Sequence, residues 1–401
     1  MLPRLRSMDS LSQEYSDQAD GRSDHQCDLS LTTPNLLCHP DAQTEWWHYN
    51  GHLQNEARRF GFQLTFFRRR TDGLNHQHLP FAWPGCPVLH FGHFAVTEIE
   101  DRRFHVAHHR STDRHCVSTD TYRLQVGQFK ALQSDETHQL EASTRNVRLS
   151  LEFEAAKPGV RNGTDGIIRR VDGQTATHIS FTRLTATGKL WIEGRHYTVT
   201  GSAWLDCEFG QCDFSQHMCG WDWFAIQLTD NREIMVYQVY DDQHQYNGHR
   251  YLAIVGPSGQ AQQFRDSEFT ISPIGEWLSP WTNSRYPTHW SLEIPALKLT
   301  LRISPLVDCQ ELDTRGSTNI VYWEGACDVA GRQGHSALSG NAYVELVGYH
   351  PSDRKITQPI IGWWELLKNE LRFVRHHRGR TLADARPHDD DPQSTDRSPA
   401  V

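Results

Sequence analysis

The sequence predicts an all-β fold of antiparallel sheets or barrels. Three observations carry this: runs alternating apolar and polar residues with period two, short turn-type separators between them, and a core weighted toward aromatic residues. The chain has 13 Trp, 12 Tyr and 17 Phe against only 4 Met, so rigid rings rather than flexible gap-fillers build the interior. Rings at this density belong to β-rich cores or to large apolar pockets.

Taken in order, residues 1–35 are polar and turn-rich and read as a disordered N-terminus. The first strand-like run, Glu45 to Leu53, puts Glu45, Trp47 and Tyr49 on one parity and Trp46 and His48 on the other. A charge beside two indoles at a strand start suits the mouth of a lined cavity, which makes Glu45 and Trp47 candidate substrate-binding residues. The plainer alternative pairs Glu45 with an arginine such as Arg68. Phe60, Phe62, Leu64 and Phe66 then share one face of the next run, and Val147, Leu149, Leu151 and Phe153 one face of a later one. Further runs are read at Thr198–Phe209, Trp221–Leu228, Glu233–Tyr240, His289–Ile294, Leu297–Ile303, Ile320–Glu324 and Ala342–Tyr349, with no repeat of 20–50 residues. Only Pro359 to Val374 breaks the pattern. There Ile360, Trp363, Trp364, Leu367, Leu371 and Val374 recur at helical spacing, with Lys368, Arg372, Arg375 and His376 toward the end that favours positive charge. This predicts an amphipathic helix over residues 353–376, packed on a barrel or serving peripheral membrane contact. Residues 377–401 are charged and proline-bearing and read as a disordered tail.

A formal charge of −9 without any basic run argues against a nucleic-acid partner. Mean hydropathy is −0.64, and no stretch approaches the ~20 apolar residues of a membrane-spanning helix. Arg4, Arg6, Asp9, Glu14, Asp17 and Asp20 interrupt the N-terminus before any apolar run, so no export signal is expected. Nine cysteines without tight spacing read as reduced thiols, which predicts a cytoplasmic protein, membrane-associated if the helix serves as a foot.

The densest chemistry lies in Gly201 to Gly210, followed by Gly220-Trp221-Asp222-Trp223-Phe224. On a strand, Trp204, Asp206 and Glu208 share one face and Ala203, Leu205 and Cys207 the other. Two carboxyls beside an indole are costly to bury, and desolvation there would hold one of them protonated as an acid. Trp221 and Trp223 likewise share a face, with Tyr237 a candidate neighbour, and such rings stabilise a cation. Alternatively the acids face solvent and the rings are ordinary core. The 24 histidines show no metal-ligand spacing: His90 and His93 would point to opposite faces of a strand, and His105, His108 and His109 lack matching Cys or Asp. No dinucleotide, nucleotide-phosphate or serine-nucleophile motif is present, so neither metal nor cofactor is expected.

These residues resemble a known family, the carotenoid 1,2-hydratase (hydroxyneurosporene synthase) and AttH-like group, whose members are also described as predicted secreted hydrolases or lipocalin-like domain proteins. The likeness runs from Thr44 to Tyr349. Glu45-Trp46-Trp47-His48-Tyr49-Asn50-Gly51-His52-Leu53 is similar to the family's opening motif, Gly61 to Arg68 to its next strand, and Gly220 to Leu228 to its central segment. Tyr286 to Trp290, Tyr322-Trp323-Glu324-Gly325 and Tyr343 to Tyr349 resemble its C-terminal signature. Cys207 and Phe209 stand where the family commonly has His and Trp. The resemblance implies two tandem lipocalin-like barrels, here expected over residues 36–215 and 216–352.

Together these readings predict a lipocalin-like, hydratase-like enzyme acting without cofactor on a hydrophobic polyene or isoprenoid. Asp206, matching the family's Asp, would be the acid, and Glu208 would orient or deprotonate the water. Tyr237, Trp221 and Trp223 would face the cation, with Trp204, Glu45 and Trp47 lining the site. The rivals are a non-catalytic carrier of an apolar molecule and a polyene cyclase or isomerase.

Overall fold

A computed structural model describes residues 36–71, 87–134, 137–169, 174–211, 220–240 and 246–350. They form two antiparallel, barrel-like sheets, the arrangement of tandem lipocalin-like barrels, with no α-helix among the described residues. The first sheet holds β1 (Thr44–Gln54), β2 (Arg59–Arg70), β3 (Val88–Glu98), β4 (Arg103–Ser111), β5 (Arg123–Val126), β6 (Phe129–Ser134), β7 (Thr137–Ser143), β8 (Val147–Ala155), β9 (Val160–Arg169), β10 (Thr175–Ile192) and β11 (Arg195–Gly210). The second holds β12 (Gly220–Leu228), β13 (Glu233–Tyr240), β14 (Tyr246–Val255), β15 (Ala261–Phe264), β16 (Thr270–Leu278), β17 (Arg285–Ile294), β18 (Leu299–Pro305), β19 (Glu311–Asp313), β20 (Val321–Gln333) and β21 (Ser336–Val347).

Both sheets share one topology. The order is β4-β3-β2-β1-β11-β10-β8-β7-β6-β5 in the first and β15-β14-β13-β12-β21-β20-β18-β17-β16 in the second. In each, the first strand pairs with the last, the first four strands form a meander, and a short strand (β9 or β19) pairs with the penultimate strand outside the main order, the first sheet having one strand more on its far side. The duplication is architectural and leaves no sequence period, because only alternation is needed to build such walls.

Alternation decides which face each side chain takes. Phe60, Phe62, Leu64 and Phe66 pack inside the first sheet with Val147, Leu149, Leu151 and Phe153. Phe224, Ile226, Trp290, Leu292, Leu301 and Leu346 fill the second. The predicted strand at Leu297 starts two residues later, because Pro295–Leu297 is a 3-10 turn closed by Lys298 in the left-handed region (φ 52°). The predicted helix over 353–376, both expected disordered termini and the boundary at residues 215 and 216 lie outside the described residues.

The outer faces of the sheets meet. Trp204 of the first packs with Trp223, Ala225, Met235, Ala326 and Tyr343 of the second, and Ala95 packs with Leu312, Tyr322 and Val347. A Cβ at Gly61 would come 2.6 Å from the Ala326 Cβ, so that glycine is what lets β2 and β20 approach. Polar cross-links complete the junction: Thr97 donates to Gln310 at 2.8 Å, Ser202 to Gln227 at 2.7 Å, and His93 Nδ1 lies 2.9 Å from the Tyr322 hydroxyl.

One inward-facing acid departs from the apolar pattern. Asp222 on β12 points into the second sheet, where Gln238 and the hydroxyls of Tyr240 and Tyr349 donate to it. Burial outweighs those donors and pushes its pKa up to about 6. The folded chain then holds a proton that the unfolded chain releases near pH 4, so this group's contribution to stability falls as pH rises from about 4 to 6. Asp222→Asn is expected to flatten that slope, worth on the order of 2–3 kcal/mol, in urea-unfolding midpoints measured across this window.

Candidate active site

Where the sheets meet, three strands of the first offer polar side chains outward. Across β1, β11 and β10 the register sets His48 opposite Asp206 and Asp206 opposite Ser180, with His178 opposite Glu208. Asp206 Oδ1 accepts from Ser180 Oγ at 2.5 Å and from Trp204 Nε1 at 2.6 Å, while Oδ2 lies 2.9 Å from His178 Nε2. The other ring nitrogen of His178 is 3.6 Å from Glu208. Burial alone would raise the Asp206 pKa. The His178 charge and bond, with the Ser180 and Trp204 donors, overcome it and hold the carboxyl below its ordinary value.

The facing wall comes from β12, β13, β20 and β21. Register places Glu324 directly opposite Glu345 and Trp223 opposite both Glu345 and Tyr237. Like charges so placed repel. His48 crosses the junction to relieve one of them, its Nε2 lying 2.6 Å from Glu324 Oε1. Burial would discharge this imidazole, but Glu324, with Glu345 and Asp206 beyond it, raises its pKa to about 9. The resulting cation sits 5.1 Å from the Trp223 ring, within cation–π range. Glu345 is half-buried and accepts from Trp221 Nε1 at 2.8 Å. Desolvation and the facing Glu324 push its pKa up to about 7, so it carries a proton much of the time at neutral pH. Trp204 and Trp223 meet edge to face at 6.1 Å, and half-buried Trp221 and Tyr237 close the aromatic wall toward solvent.

The sequence matches the AttH-like family over residues 28–349. The chain belongs to the AttH-like family. Among solved structures, this AttH-like protein is similar to a Nitrosomonas europaea protein described as an AttH, at 25% identity and TM-score 0.70, over 81% of this chain and 98% of that one. It also shares the fold of kievitone hydratase from Nectria haematococca, at 15% identity and TM-score 0.61, over 80% and 93%. No match was found among curated proteins.

The structure gathers Asp206, Glu208, Trp204, Trp221, Trp223 and Tyr237 around one junction, although they come from two sheets. It separates Glu45 and Trp47 from them. Both face the interior of the first sheet, because they share the parity of Tyr49 rather than of His48. Glu45 is fully buried beneath His39, whose amide and ring nitrogens approach it at 3.1 and 2.7 Å, with Arg68 at 3.9 Å. Trp47 donates to the Leu36 carbonyl at 2.9 Å and fills the core. The expectation of Asp206 as a protonated acid is also corrected, since three partners stabilise its charged form.

His48, His178, Glu324 and Glu345 are the charged members the sequence reading missed. Glu345 had a signal, a lone acid between Val344 and Leu346 in an otherwise apolar strand. His178 had none. Among the described residues, no group of three or more His, Cys, Asp or Glu side chains is arranged to hold a metal.

Proposed function

We propose that the junction between the sheets is the active site of a hydratase-like enzyme, adding water across a carbon–carbon double bond of a hydrophobic polyene or isoprenoid. The observation that carries this reading is Glu345, a half-buried carboxyl whose pKa of about 7 leaves it partly protonated at neutral pH beside a wall of indoles. Protonating an alkene needs a donor, a surface that tolerates the cation, and a placed water. Glu345 gives its proton to one alkene carbon as the π electrons form the new C–H bond. The cation on the other carbon then faces Trp221, Trp223 and Tyr237. Ionised Asp206 acts as a positioning residue that fixes Trp204 and His178, and Glu208 holds the far side of His178.

The name of kievitone hydratase fits this class of reaction, and the resemblance to carotenoid 1,2-hydratase points to an acyclic carotenoid as a second substrate type. Both are to be assayed with the purified full chain in ¹⁸O-labelled water. Hydration transfers one labelled oxygen to the product. An isomer without label would instead favour the cyclase or isomerase reading. Tight retention of an apolar molecule without turnover, lost in Trp223→Ala, would make the protein a carrier.

A further inference from the structure

Among the described residues, the large apolar side chains left exposed are Ile274, Leu278 and Trp281, at 50%, 43% and 42%. All three lie on β16 and the turn that follows it. Single exposed apolar residues are ordinary, whereas three gathered on one hairpin mark a docking surface. The turn holds its indole out by construction. Ser279 Oγ accepts from the Trp281 and Thr282 amides at 3.2 and 3.3 Å and donates to the buried Glu311 carboxyl at 2.6 Å. Thr282 Oγ1 donates to the other Glu311 oxygen at 2.6 Å, which pins the loop from a second side. β16 also ends the order of the second sheet, bonded to β17 alone. It is a poor template for another strand, because Pro273 interrupts it and the register slips at Pro273/Gly275 and again at Gly275/Trp277. A partner that brings side chains rather than backbone fits this edge.

We infer that residues 360–374 of this chain lay their apolar stripe on the patch. Of the segments outside the described residues, this is the one that repeats apolar side chains at helical spacing, from Ile360 through Trp363, Trp364, Leu367 and Leu371 to Val374. It also starts within reach. The described chain ends at His350, and three ring-to-ring steps lead from there to the patch: Tyr349 to Tyr286 at 5.7 Å, Tyr286 to Trp277 at 6.1 Å and Trp277 to Trp281 at 6.1 Å. The connection from His350 to Ile360 can span up to about 33 Å. Charge agrees with the docking. Exposed Glu268 precedes β16, and Glu276, paired with Arg285, stands between Ile274 and Leu278. At helical spacing Lys368 and Arg375 border the apolar stripe and bring the opposite sign. The same acids, in a chain of net charge −9, disfavour an anionic lipid surface as the occupant.

Hydrogen–deuterium exchange of the full chain, read by mass spectrometry, tests the docking without any substrate. Amides of 360–374 are expected to exchange at least about tenfold more slowly than in the variant Leu367→Asp with Leu371→Asp. Leu278→Ser with Trp281→Ser should release them equally, while peptides from β17 and β18 stay protected and report an intact sheet. Rapid exchange of 360–374 in the unmodified chain, or protection that survives the loss of Leu278 and Trp281, overturns the inference. Protection that vanishes on dilution would give the patch to a second copy of the chain. Protection that appears only with vesicles of phosphatidylcholine and phosphatidylglycerol would give it to a lipid surface. Either of these results overturns the docking as well.

Discussion

Glu345→Gln is expected to lower hydration by roughly 10²–10⁴-fold, the range general acid catalysis supplies. The substitution keeps the side chain's shape and can still meet the Trp221 indole, but it removes the only proton that Glu345 could give. Ligand retention should persist, because Trp204, Trp223 and Tyr237 are untouched. Steady-state assay beside a binding measurement separates the two effects. Turnover unchanged within threefold would remove Glu345 from the mechanism.

The same group predicts the pH profile. An acid must be protonated to act, and Glu345 loses its proton near pH 7, so turnover should fall as pH rises through that value. The His48 cation lowers the Glu345 pKa by favouring its ionised form. His48→Gln deletes that charge and is expected to move the descending limb to higher pH. A limb that moved to lower pH would contradict the assigned geometry.

Much of this site was legible, but only one strand at a time. Alternation along β11 correctly places Trp204, Asp206 and Glu208 on one face and Ala203, Leu205 and Cys207 on the other. Parity is a local property, fixed by the pleat. Which strand faces another is not local: His48 and Glu324 touch although 276 positions separate them. The protonation of Asp206 failed for the same reason. Indoles beside a carboxyl do raise its pKa, but Ser180 and His178 arrive from β10 through strand register and reverse the sign. Glu45 shows the limit of a motif. Its neighbours Trp46 and Trp47 look like a cavity mouth, yet the parity shared with Tyr49 sends it inward to His39 and Arg68.

A buried ionic tie joins the two sheets, and breaking it should be strongly destabilising. Lys157, between β8 and β9, reaches Glu233 at the start of β13, with Nζ 2.7 and 3.0 Å from its two carboxylate oxygens. Arg183 Nε adds a bond at 2.6 Å and Thr182 Oγ1 one at 3.2 Å. Lys157 also donates to the Asn231 and Gly256 carbonyls, so every charge in the group is satisfied across the two sheets. Glu233→Ala leaves a lysine that is only 5% exposed without its counter-charge, and the expected cost is about 3–5 kcal/mol. Replacing the pair together, Lys157→Met with Glu233→Leu, removes the stranded charge. It should recover most of that loss, with Arg183 free to turn toward solvent. Urea unfolding of Lys157→Met alone, Glu233→Leu alone and the double variant gives the coupling directly. The tie adjoins the junction through Thr182, whose carbonyl accepts from Gln227, the residue that also accepts from Ser202 across the sheets. Glu233→Ala is therefore expected to lose turnover at temperatures where its far-ultraviolet spectrum still reports folded sheet. Unchanged unfolding midpoints in both single variants would mean that the apolar contacts of Trp204, Trp223 and Tyr343 hold the sheets together unaided.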